Sequence, residues 1–238
     1  MEAVLTIIAL AALVPIAIAM TLFVQVRLMA KAALTPSPDT DAPEHLRQWA
    51  KDNDFDFVGN FNMKIGSMHA FISAWRHSQR PTFFCQYLVR SAKTLNTAFD
   101  MVTLFDSDVM LTTASKSDGQ LFPMPAGCYC QSFSNTSLDD QWCRHVEMEN
   151  FLIDEGGARL VQLDVTFEDS FTNTIRKQTQ YIRSIPLWPC RAPYWFFVRK
   201  NLTHNKSIRL QHQKGMIKLP NELAPRDGVT PFSYDKHS

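Results

Sequence analysis

FDFVGNFNMKIGSMHAFISAWRHSQRPTFFCQYLVRSAKTLNTAFDMVTLFDSDVMLTTA, residues 55–114, is a succession of short aromatic and β-branched runs broken by turn-forming residues. Residues 55–61, 70–76, 82–89, 98–105 and 109–114 each read as a strand, because such side chains suit a pleated, packed surface. Asp106, Ser107 and Asp108 make a tight hairpin connection between the last two runs, and Asp118 with Gly119 closes the last. Connections this short leave no room for crossover helices, so an antiparallel meander is expected.

Helical patterns flank the strands. Pro43 suits the first position of a short helix reaching about Asp52, with Leu46, Trp49 and Ala50 inward. Beyond the strands, Ser137 is placed to cap a helix whose first turn holds Asp139 and Asp140, as the helix dipole prefers. Leu138, Trp142, Val146 and the pair Phe151/Leu152 recur along it at helical spacing, and Gly156-Gly157 stops it. A further helix spans residues 167–182, where Phe167, Phe171, Ile175 and Ile182 share a face with Gln178 as its one polar member. The expectation is an α+β fold with two or three helices packed on one face of the meander.

Upstream, residues 3–26 carry no charge and are almost wholly apolar. At about 1.5 Å per residue such a helix is about 36 Å long, enough to cross a hydrocarbon core of about 30 Å. Ala17-Ile18-Ala19 resembles a signal-peptidase site, but the cationic n-region of a signal peptide is missing and the apolar run continues past it. The sequence therefore predicts one uncleaved transmembrane helix, touching the bilayer through residues 3–26. Arg27 and Lys31 follow it at once, which by the positive-inside rule places the remainder in the cytoplasm of a single-pass protein of the cell or inner membrane. The expected organisation is an anchor with its cationic flank at 1–31, a Pro/Asp-rich solvated linker at 32–43 and one soluble domain at 44–238.

Composition narrows the function classes only a little. With 238 residues, 45% hydrophobic and 20% charged, the chain is neither disordered nor collagen-like, and the net charge of +1 points to no partner. Five cysteines, Cys85, Cys128, Cys130, Cys143 and Cys190, are an odd number at spacings unlike a disulfide framework, and read as buried thiols in a reducing compartment. Cys128 and Cys130 with Cys143 and His145 supply metal-ligand types. However, Cys143 and His145 lie two apart on a helix, about 200° of rotation, and cannot face one ion. No metal or other cofactor is expected, and His145 reads as a surface residue. A cysteine nucleophile at Cys128 or Cys130 with His145 as base lacks a local signature. Asp106/Asp108 read as turn residues and Glu147/Glu149 as a solvated helix face. Walker, dinucleotide, HExxH and G-x-S-x-G motifs are absent, so no catalytic residue is assigned.

Charge is distributed unevenly. Between Asp169 and Glu222 there is no acid, whereas the interval carries ten cations, and SIPLWPCRAPYWFFVRK lies within it. Arg183, Trp188, Arg191, Tyr194, Trp195, Arg199 and Lys200 are accordingly the candidate surface. Trp and Tyr favour the headgroup layer, and each cation near an anionic leaflet adds about 1 kcal/mol. An acidic membrane-protein partner fits the same chemistry, whereas nucleic acid is not favoured, because no RRM, KH or helix-turn-helix pattern is present. The expected function is a membrane-anchored, cytoplasm-facing accessory or scaffold domain. The alternative is a tethered enzyme with a thiol or metal site near Cys128, Cys130 and His145.

Overall fold

The computed structural model describes residues 2–38, 42–66, 68–91, 94–161 and 165–223, with the backbone alone for residues 2–12, 91 and 94. Among these residues seven strands form one sheet in chain order: β1 (Leu34–Pro36), β2 (Phe55–Ile65), β3 (Met68–His77), β4 (Thr82–Ser91), β5 (Thr94–Leu104), β6 (Met110–Ala114) and β7 (Cys128–Ser132). From β2 to β6 every pairing is antiparallel. The β5–β6 turn holds Ser107 and Asp108 at φ 53° and 65°, the left-handed geometry of a tight hairpin.

Two strands extend the expected meander. β1 pairs with β2 through Leu34, Thr35 and Pro36, so the segment read as a solvated linker begins as an edge strand; Pro36 is tolerated at an edge. β7 runs parallel to β6, reached by a short crossover that contains the 3₁₀ turn Ser117–Gln120 and no α-helix.

The helices are α1 (Glu2–Met29), α2 (Glu44–Asp52), α3 (Leu138–Asp154), α4 (Phe167–Ser184), α5 (Trp188–Tyr194), α6 (Lys200–Thr203) and α7 (Ile208–Gln213). A π-helical turn, Trp195–Arg199, joins α5 to α6 without a break. Helices α3, α4 and α7 are capped by Ser137, Thr166 and Ser207, whose side chains accept from the backbone N–H three residues on.

The helices cover both faces of the sheet rather than one. On one face α2 and α3 close over Phe55, Trp75, Phe84, Met101, Leu111 and Tyr129. On the other, Phe167, Phe171 and Ile175 of α4 and Leu28 and Met29 of α1 pack on Phe61, Ile72, Phe83 and Cys85. Successive residues of a strand point to opposite faces, so the buried neighbours Phe83 and Phe84 require two covering layers.

Helix α3 is also rotated from its expected orientation. Its buried residues are Gln141, His145, Met148, Glu149, Phe151 and Leu152, while Val146 is only half-buried. His145 and Glu149 are fully buried, contrary to their reading as surface residues, because strand side chains satisfy them. His145 Nε2 lies 2.8 Å from the Thr103 hydroxyl and Nδ1 2.8 Å from that of Thr113. Thr103 donates to Glu149 Oε2 at 2.9 Å and so accepts from Nε2–H, which makes His145 the neutral Nε2–H tautomer. Glu149 Oε1 meets Arg80 at 2.5 Å.

Helix α1 belongs partly to the domain. Leu22 and Val26 are buried against Leu121, Ile182, Trp188 and Trp195, and Phe23 stacks on Trp188 with ring centroids 5.5 Å apart. Gly66 turns the β2–β3 hairpin at φ +63°, and a Cβ there would sit 2.8 Å from Leu28 Cδ1, so the glycine also lets α1 approach the turn. Among the described residues no helix is long and apolar enough to cross a membrane.

Candidate functional site

Helices α1 and α4 do not seal the sheet face they cover. Between them and β4–β6 lies a half-open cavity of about 520 Å³. Phe83 and Val102 line its sheet side, Phe167, Phe171 and Ile175 its α4 side, and Leu22 and Met29 its α1 side. Thr21, Asp118 and Gly119 are exposed at its rim. A smaller hollow of about 260 Å³ continues past Met110, Met124 and Thr174 to the Asp106–Asp108 turn, where Lys177 pairs with Asp108 at 2.7 Å.

Three polar side chains converge on the cavity's sheet side. Cys85 and Asp100 are directly opposed across β4 and β5, and Tyr87 is one pleat along from Cys85 on the same face. Tyr87 and Asp100 are both half-buried on the cavity lining. Burial pushes the Asp100 carboxyl up to about 7, partly offset by the Tyr87 hydrogen bond. Cys85 and Tyr87 are raised by burial as well, with Asp100 adding to both. Sequence reading missed all three, because a lone Asp in a strand is the ordinary polar member of an alternating pattern.

The basic aromatic segment lies against this cavity and divides by depth. Trp188 and Trp195 are buried against α1. Arg199 is half-buried, donating to the Gln120 and Phe122 carbonyls at 2.7 and 3.0 Å, and so ties the π turn to the 3₁₀ crossover. Lys200 lies 3.2 Å from Asp118 at the cavity rim and 4.5 Å over the Phe196 ring. Arg183, Arg191 and Tyr194 remain exposed. The structure thus brings these residues to one region, with only those last three free of the interior.

Cys128, Cys130 and His145 do not come together. Cys130 is opposite Thr112 and faces the cavity side, whereas Gln131, opposite Thr113, faces α3 with His145. The sheet stands between thiol and imidazole. Burial also pushes the Cys130 thiol up to about 12, and burial together with the Arg80 charge lowers His145 to about 3. Cys143 is exposed on α3, pointing away from His145. Among the described residues, no group of three or more His, Cys, Asp or Glu could hold a metal ion.

No family model, no curated protein and no solved structure matches the chain.

Proposed function

We propose that this is a single-pass membrane protein whose α+β domain rests on the cytoplasmic bilayer surface and works as a binding or scaffold module, without covalent chemistry. One observation carries the reading: α1 and the α5–α6 segment, which pack on each other, both leave large apolar side chains exposed. On α1 these are Leu13, Val14, Ile16, Met20 and Val24; on the C-terminal segment they are Leu187, Tyr194, Phe197, Val198 and Leu202. Neighbouring apolar exposure on two elements marks an interaction surface. A bilayer is the occupant most consistent with the uncharged run at residues 3–26.

Because Leu22 and Val26 pack into the domain, the crossing would use residues N-terminal to about Thr21, with exposed Tyr194 at headgroup level. Arg27 and Lys31 favour the cytoplasmic side, and exposed Arg183 and Arg191 would meet anionic headgroups or an acidic membrane-protein partner. The separation of Cys128 and Cys130 from His145 by the sheet disfavours the thiol-enzyme alternative. After an alkaline carbonate wash the full chain should remain in the membrane pellet at its full mass. Release into the supernatant, or a chain beginning at Met20, would overturn the anchor.

A further inference from the structure

We propose that the cavity between the sheet and helices α1 and α4 binds a single-chain amphiphile: its chain lies against Phe83, Val102, Phe167 and Phe171, and its head, a hydroxyl or protonated amine, donates to the Asp100 carboxyl. Protein interiors contain few voids larger than a water molecule, while about 520 Å³ falls within the range of ligand sites, roughly 300–1,000 Å³. The lining has the usual composition of such a site, aromatic and aliphatic walls with a few converging polar groups.

Asp100 specifies the head. The titratable groups around it are Cys85, Tyr87 and Cys130, which bring no positive charge. Asp100 is half-buried in the cavity wall and makes no ion pair among the described residues, whereas the fully buried acid Glu149 has Arg80. Asp100 lines the cavity beside Tyr87 and has acceptor capacity toward it. A donor head completes the set, while a carboxylate head would set like charge against like charge. Partial burial in the cavity wall raises the Asp100 carboxyl to about 7. The rim residue Thr21 lies on α1, so delivery of the amphiphile from the bilayer rests on the membrane reading above; the chemistry of the pocket does not.

The test uses the full chain in neutral phosphatidylcholine nanodiscs near pH 8, with photoactivatable dodecylamine, dodecanol and dodecanoic acid as probes. The amine and the alcohol should label peptides from β4, β5 and α4, the amine about tenfold more than the acid, which corresponds to about 1.4 kcal/mol. Asp100→Asn should abolish that preference. Thr112→Phe or, at the helix side, Gln178→Trp should lower cavity labelling by all three probes while a cooperative melt persists. Labelling confined to residues 13–24, or cavity labelling indifferent to Asp100→Asn and to both filling variants, would overturn the proposal. Release of the protein by carbonate with cavity labelling intact would refute the membrane reading alone.

Discussion

The two faces of the sheet bury polar groups in opposite ways. Under α3, Thr82, Thr103, Thr113, Gln131, Gln141 and His145 bond to one another or to backbone, and Glu149 has Arg80. On the same face, two residues along β4 from Phe84, Gln86 Oε1 is the one buried side-chain N or O atom without a partner among those described, a single gap beside the network. Under α1 and α4, Asp100 is half-buried beside Tyr87 at an open cavity. A network closed upon itself specifies packing and has no capacity left for a ligand, whereas an acid beside empty, apolar space has that capacity. Buried polarity alone would therefore have pointed to the wrong face, because the more extensive network is structural.

That contrast breaks first, and by most, at Glu149. Glu149→Ala removes the partner of the partly exposed Arg80 and an acceptor of Thr103, and should destabilise the domain by about 2 kcal/mol, as loss of charge-assisted hydrogen bonds does. Urea denaturation of the detergent-solubilised chain measures it. A loss near zero would mean that the α3 face is not a closed network.

Asp100 should behave with the opposite sign. Its carboxyl titrates at about 7 in the fold against an ordinary 3.8, so the folded state holds a proton that the unfolded state has lost. Its contribution is therefore full below about pH 3.8 and is lost as pH rises toward 7. Asp100→Asn should raise stability at pH 8 by about 1 kcal/mol or more and leave pH 4 nearly unchanged. His145 runs the other way. Lowered to about 3 from 6.5, it stays neutral in the fold, and its contribution is lost as pH falls from 6.5 toward 3. The two slopes partly cancel between pH 4 and 6.5, and the Asn variant should uncover a steeper rise of stability with pH. Denaturation at pH 4, 6 and 8 reads both.

The smallest stability effect belongs to the exposed cations. Arg183→Ala with Arg191→Ala should change stability by less than about 0.5 kcal/mol, yet cost about 1 kcal/mol per charge in attraction to an anionic bilayer. The comparison is between flotation on phosphatidylserine and on phosphatidylcholine vesicles. Stability loss without altered lipid preference would place both cations in the fold's own packing.

Much of this architecture was legible from local chemistry. The strand runs, the Ser137 cap and the apolar face of α4, with Gln178 as its polar member, follow from period and capping. β1 was hidden because three residues carry no periodicity, and β7 because parallel pairing through a 3₁₀ crossover leaves no helical signal. The second covering layer was foreshadowed by Phe83 and Phe84 adjacent in one strand. The orientation of α3 was not, since Gln141, His145 and Glu149 look solvated until Thr103, Thr113 and Arg80 are placed opposite them. Asp100 was obscured for the same reason: only the register that sets Cys85 across from it shows which face it joins.

The central claim, that the α5 side and not the α3 side meets the bilayer, can be tested with two native thiols. Cys190 lies exposed on α5 and Cys143 exposed on α3, on opposite layers of the domain. In open membranes containing the full chain, a charged, lipid-insoluble maleimide should modify Cys143 readily and Cys190 about tenfold more slowly, a protection of about 1.4 kcal/mol. Equal rates at the two cysteines would contradict the account, because the face carrying Tyr194, Phe197 and Leu202 would then stand in water.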